Sequence, residues 1–425
     1  MTILRTMRHF SSMNIAASIL LFLTAIAAAI IANSPVAPVY QEFLSHELHF
    51  RIGNFNLLSH GGQNLTMIEF INDGLMTVFF LLVGLEIKRE LLVGELSSFR
   101  KAALPFIAAC GGMLFPVLVY SFVCAPGTPG GQGLAIPMAT DIAFALAVLG
   151  LLGKRVPLSM RIFLTALAVV DDIGGIIIIA LFYSGHIAFE PLLISLIVLA
   201  LLYVGGKFRV HNRLFFYIGG FIVWLLFLES GIHPTIAGVL IAFTVPARPV
   251  VKLDDFTCDM TGYLNMLDYT EVRQSRKAEV LTPTQIQVLN NIHTLADKTI
   301  SPLQTIADKL HPLVNYVILP LFAFVNAGVT FGDIQPQTLV NVPLAVFVGL
   351  FVGKTLGIFS FSYLFACTPF ASMPTGMSKR NLFGVSMLGG IGFTVALFIA
   401  NLSFDGSTAA GADLLNQAKL GVFTG

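Results

Sequence analysis

Asp171 and Asp172 stand side by side in LTALAVVDDIGGIIIIALF, an otherwise uncharged run. Neighbours on a helix point about 100° apart, so both can flank one cavity but cannot share a proton face to face. Carboxylates taken out of water compete for protons and for small hard cations. Such a pair holds protons near neutrality and releases them when the medium turns alkaline or a cation takes their place. Oxygen ligands of this kind suit ions such as Na+ better than soft metals. A purely structural role would need two buried bases nearby, and only Lys354 is available.

Charges deep in apolar segments are costly and usually face a cavity or an ion path. The others here are Asp73, Glu86, Asp141, Glu229 and Lys354. Asp141 sits in GLAIPMATDIAF, where Pro137 removes a backbone donor and Gly131 and Gly133 loosen the approach, so this helix reads as broken. A second interruption falls in SMLGGIGFT at 386–394, with Gly389, Gly390 and Gly392; such glycines also serve as close-packing faces. Lys354, in GLFVGKTLGIF, reads as a neutral lysine or a partner for a buried aspartate, against the alternative of snorkelling from a helix end. Glu86 adjoins the KRE run at 88–90 and also reads as a boundary residue, while Asp73 and Glu229 lie near helix ends and read as interfacial.

The elements that must position these groups follow from composition. Of 425 residues, 56% are hydrophobic and 11% charged, with a mean hydropathy of +0.84. Soluble domains carry about 25% charged residues, so this chain is expected to be an all-α polytopic membrane protein. Apolar stretches near 13–33, 66–87, 102–124, 134–153, 158–183, 190–205, 214–230, 234–247, 312–330, 340–366 and 382–403, with another from 413, predict about 12 transmembrane helices. The first follows Arg5 and Arg8; its uncharged run Ile15–Ala32 exceeds a signal peptide's apolar region and predicts a retained helix. With the N-terminus inside, 21 of the 24 basic residues fall on the cytoplasmic side and Arg51 alone outside. A net charge of +1 points to no nucleic-acid partner. Cys110, Cys124, Cys258 and Cys367 form no CxxC or secreted framework.

The chain divides as one integral membrane unit, 1–425. An external loop spans 34–65, in which 46–58 alternate around Gly53-Asn54 and read either as a β-hairpin or as a disordered loop. Blocks 101–183 and 340–425 each hold an apolar helix, an interrupted or short one and another helix, which suggests two core repeats. Loop 248–310 is a solvated cytoplasmic segment. No HExxH, GxGxxG or Walker motif offers soluble-type enzyme chemistry or a cofactor site. An intramembrane aspartyl protease, pairing Asp141 with Asp171, would show peptidase activity, although its Gly-x-Gly-Asp run is absent. A cation channel would need a continuous polar pore and would pass currents far above transporter turnover.

The runs FFLLVGLEIKREL at 79–91, IPMATDIAFAL at 136–146, AVVDDIGGIIIIALFY at 168–183, SGIHPTIAGVL at 230–240, LPLFAFVNAGV at 319–329, LFVGKTLGI at 350–358 and GGIGFTVALFI at 389–399 resemble the NhaA family of sodium–proton antiporters, over almost the whole length. Paired interrupted segments mark the binding site in several transporter folds, these antiporters among them. The resemblance implies two interrupted helices crossing at mid-membrane within inverted repeats. It makes Asp171 and Asp172 the cation- and proton-binding pair, Thr140 and Asp141 the crossing residues and Lys354 their charge balance. Glu86 and Arg89 match the pH-responsive cytoplasmic mouth. His311 fits the TIADKLHP pattern, but Ala307 replaces the family's acidic sensor, with Asp308 beside it. It further implies electrogenic, alkaline-activated exchange of cytoplasmic Na+ or Li+ for H+ in a bacterial inner membrane, by a homodimer joined partly through an external hairpin. The family continues past LLNQAKLGVFTG, so the last helix is expected to be incomplete, with a cost in stability.

Overall fold

The computed structural model describes every residue of the chain except 1, 53–54, 57–58, 61–62, 154–155, 184, 186, 209, 211, 270–279, 333–337, 370–372, 374–375 and 407. The chain is almost wholly helical. In order come α1 (Thr2–Ala32), α2 (Ala37–Ser45), α3 (Met67–Val93) and α4 (Phe99–Val123). A 3-10 helix (Pro129–Met138) leads into α5 (Ile142–Leu151), followed by α6 (Leu158–Phe182), α7 (Phe189–Lys207), α8 (Arg213–Ser230) and α9 (Pro234–Thr244). Next are α10 (Leu253–Tyr269), α11 (Pro283–Thr299), α12 (Pro302–Leu313), α13 (Leu319–Asn326) and α14 (Val342–Ala366), then α15 (Lys379–Gly389), α16 (Phe393–Ser403) and α17 (Ala409–Thr424).

Among the described residues, seven helices are long and apolar enough to cross a membrane, or nine if each of two bent pairs is one span. The outer surface agrees with that reading. Phe122, Phe182 and Phe189 are 88%, 76% and 80% exposed, whereas Asp141, Asp171, Asp172 and Lys354 are buried. A protein that turns its aromatics outward and its charges inward is built for a hydrocarbon surround.

Between α2 and α3, short antiparallel strands pair β1 (Arg51–Ile52) with β2 (Phe55–Asn56) and β3 (Ser59–His60) with β4 (Gln63–Asn64). The flanks of the expected hairpin therefore pair; its turn residues Gly53 and Asn54 lie outside the described residues, as do Lys154, Arg155, Arg209, Arg273, Arg276 and Lys277 of the basic census. The loop 248–310 contains α10 and α11, and α12 begins within it. Thr282 and Ser301 start α11 and α12 with capping boxes, each side chain accepting from the backbone three residues on while Gln285 or Gln304 reaches back.

Local chemistry explains the packing around the site. Pro105 and Pro116 lie inside α4, and α4 meets α14 so closely that a Cβ on Gly111 or Gly357 would collide with the other's carbonyl oxygen. Small residues are what permit such an approach where hydrocarbon supplies no driving force between helices. Among the described residues, three helical stretches carry a π-helical turn: Phe70–Leu75 in α3, Val314–Ile318 joining α12 to α13, and Gly349–Lys354 in α14. Such turns each insert an extra residue and concentrate at functional places. On the α2 side, the Tyr40 hydroxyl donates to Phe324 O at 2.6 Å, and burial pushes its phenol up to about 12, so it remains a donor.

Candidate functional site

Among the described residues, two helices break at one place in the bundle. The segment Pro129–Met138 and α5 bend by 47° across residues 139–141, and α15 and α16 bend by 43° across 390–392. The first break follows Pro137 and ends on Asp141, which caps α5 by accepting from Phe144 N at 3.0 Å. The second is made of glycines. The breaks are laced together: Asp141 N donates to Ile391 O at 2.7 Å, and Asp141 Oδ2 accepts from Thr394 N at 3.2 Å and Thr394 Oγ1 at 2.5 Å. One carboxylate thus serves the first turns of α5 and α16, where the helix dipole favours negative charge.

Asp171 lies beside this crossing on the unbroken α6. Its Oδ2 accepts from Lys354 Nζ at 2.6 Å and from Thr140 Oγ1 at 2.7 Å, while Oδ1 is buried with no partner among the described residues. Lys354 is fully buried and also donates to Met138 O, at the end of the first half-helix. Thr140 Oγ1 lies 2.8 Å from Gly389 O as well, at the end of α15. A hydroxyl has one hydrogen, so Thr140 can donate to only one of these two acceptors at a time.

A cavity of about 250 Å³ reaches this centre. Asp172, Asp141 and Thr140 line its inner end, and Glu86, Arg89, Glu90, Asp308 and His311 line it on α3 and α12. His311 Nε2 and Glu86 Oε1 are 3.2 Å apart. Asp171 is not among the lining residues: the two carboxylates of the pair look different ways, one toward the cavity and one toward Lys354. Ala307 is buried, and the next residue, Asp308, supplies an acidic group to the cavity.

The sequence-predicted residues Thr140, Asp141, Asp171, Asp172 and Lys354 therefore come together, and Glu86, Arg89, Asp308 and His311 share the cavity with them. Asp73 stands apart, 3.6 Å from His233, and Glu229 is exposed. Sequence reasoning missed Thr394; Gly389 was read as part of the second break, but not that its carbonyl would face Thr140. Thr394 follows GGIGF, just where a restarting helix needs its first turn satisfied, and that was the available signal.

Helices interrupted inside an apolar bundle, with carboxylates and a lysine at the break and one cavity leading to them, are the construction of a membrane transporter, not of an enzyme. The chain belongs to the family described as Na+/H+ antiporter 1, whose model matches residues 8–425. The curated Na(+)/H(+) antiporter NhaA of Parabacteroides distasonis is 84% identical over 423 residues, covering 100% of this chain and 93% of that protein. Its namesake from Bacteroides fragilis is 62% identical over 425 residues, covering 100% and 95%. That of Porphyromonas gingivalis is 50% identical over 410 residues, covering 96% and 89%.

Proposed function

We propose that this chain is a secondary antiporter that exchanges cytoplasmic Na+, or Li+, for external H+, with Asp171 and Asp172 as the ion- and proton-binding pair. The observation that carries this reading is the division of labour within the pair. Asp172 faces the cavity, while Asp171 behind it is held by Lys354 and Thr140. A cation arriving through the cavity meets Asp172 with Asp141 on the same wall. It can neutralise Asp172 only when that carboxyl has lost its proton, so Na+ and H+ exclude one another at one group. The Asp171–Lys354 pair is a second titrating unit, and two such units for one cation make the exchange electrogenic.

Glu86, Arg89, Asp308 and His311 form the mouth that makes the exchange respond to alkaline pH. Residues 101–183 and 340–425 are inverted core repeats; in support, each runs through a long helix (α4, α14), a bent pair and a further helix (α6, α17). About 12 spans cross a bacterial inner membrane with the N-terminus in the cytoplasm. The unit is 1–425, with 248–310 as its cytoplasmic loop, and a homodimer forms through the external loop 34–65. The transported ions suffice, with no cofactor and no nucleic-acid partner.

The test is Na+-driven proton movement in sealed vesicles with an imposed pH gradient. Wild-type protein is expected to change the lumenal pH on addition of Na+, and Asp172→Asn to show no such change. Wild-type rates in Asp172→Asn would overturn the site. A folded wild-type protein that moves no protons on addition of Na+ would overturn the antiport reading.

A further inference from the structure

Beyond the site, the three helices that meet behind it carry a second polar layer that the exchange reading leaves unused. Asn326, at the end of α13, is fully buried. Its Nδ2 donates to Asn72 Oδ1 at 2.7 Å, and its Oδ1 accepts from Asn401 Nδ2 at 2.8 Å and from Asn72 Nδ2 at 3.3 Å. Asn72 lies in the π-helical turn of α3 and Asn401 near the end of α16, so one amide ties three helices together.

Between this tie and the site lies an aromatic layer with one ring from each of the same helices. Phe398 of α16 packs against Phe80 of α3 at 5.6 Å and Phe322 of α13 at 6.2 Å between centroids, and all three are buried. The order along the chains sets the levels. On α16, Thr394 holds Asp141, Phe398 comes one turn later and Asn401 about 5 Å beyond that. On α13, the cavity wall reaches Leu319, then Phe322 and Asn326 follow. On α3, the wall reaches Phe79, with Phe80 beside it and Asn72 farther on. Each helix therefore passes from site to aromatic seal to amide.

We infer that Asn72, Asn326 and Asn401 form the latch that keeps the side opposite the cavity shut, and that this latch parts when the ion leaves on that side. The inference rests on the antiport reading, because an exchanger must open one site to each side in turn. Apolar residues at the three positions would hold the helices together without a defined alternative. Buried amides behave differently, because a half-broken set leaves polar groups unsatisfied and is strongly disfavoured. The tie is then either complete or fully replaced by water. Once parted, the same amide oxygens offer hard ligands to a passing cation.

Asn326→Ala and the milder Asn401→Ser, in vesicles assayed from each face, test this. Weakening the latch enriches the state open opposite the cavity. The apparent KM for Na+ on that face is expected to fall about fivefold, the factor one lost hydrogen bond is worth, with little change on the cavity face. A role in stability alone would lower the maximal rate and leave both KM values where they were. That result, or equal shifts on both faces, overturns the latch. If Asn326→Ala does not fold, Asn401→Ser decides. Wild-type vesicles that fail to exchange Na+ for H+ overturn the antiport reading instead, so the two failures are told apart.

Discussion

The two breaks bend their helices by nearly the same angle, 47° and 43°, yet they are made differently. The first is built of side chains. Pro137 withdraws a donor, Thr140 reaches Asp171, and Asp141 supplies a carboxylate to Phe144 and Thr394. The second is built of backbone. Gly389 O faces Thr140, Ile391 O receives Asp141 N, and there is no charge between Gly389 and Thr394. The asymmetry teaches how exposed helix ends are satisfied inside hydrocarbon. One break carries the groups that compensate both, and the other needs only room for close approach. Lys354 completes the set from outside either break by donating to Met138 O and Asp171.

Removing the parts of each break in turn separates the two constructions. Lys354→Ala strands the Asp171 carboxylate and the Met138 carbonyl, and is expected to cost about 3–5 kcal/mol, as when one partner of a buried ion pair is lost. Thermal melting of the purified protein measures this, and an unchanged midpoint would mean that the lysine balances nothing. Asp141→Ala leaves the first turns of α5 and α16 without their shared acceptor, at about 3 kcal/mol, with Asp141→Asn recovering part of it. Melting of the alanine variant at the wild-type temperature would dissolve the distinction between the two breaks.

At the second break, the same measurement is made with Gly390→Ala. Its added Cβ would stand 2.6 Å from Leu350 O, so α14 must shift, at about 2 kcal/mol. No loss would show that this break does not depend on close approach. Thr394→Val removes one hydroxyl donor to Asp141 while keeping the backbone donor, and should cost about 1 kcal/mol. A loss as large as that of Asp141→Ala would instead make Thr394, and not the carboxylate, the keystone of the crossing.

The placement of the helices was legible because hydrocarbon imposes a simple rule: uncharged runs of spanning length must be helical. Pro137 and the glycines at 389–392 marked both breaks, and a charge such as Asp141 or Lys354 is rare enough in such runs to be seen at once. Other features left no comparable trace. Asn72, Asn326, Asn401 and Thr394 are uncharged polar residues, cheap enough in a bundle that their types alone do not mark them out. Which of Asp171 and Asp172 faces the cavity depends on how α6 is rotated against α14, and that is a matter of packing. The π-helical turns depend in the same way on tertiary contacts, since they leave the apolar pattern of α3 and α14 intact.

Thr140 holds one hydrogen between two acceptors, Asp171 Oδ2 and Gly389 O. When Asp171 is ionised, the hydrogen is drawn to the carboxylate. When Asp171 is protonated at Oδ2, that proton can point back at Thr140, whose own hydrogen then turns to Gly389. The hydroxyl is in effect a one-bit reader: the state of a carboxyl on an unbroken helix is written, by the rotation of a single O–H bond, at the end of a broken one.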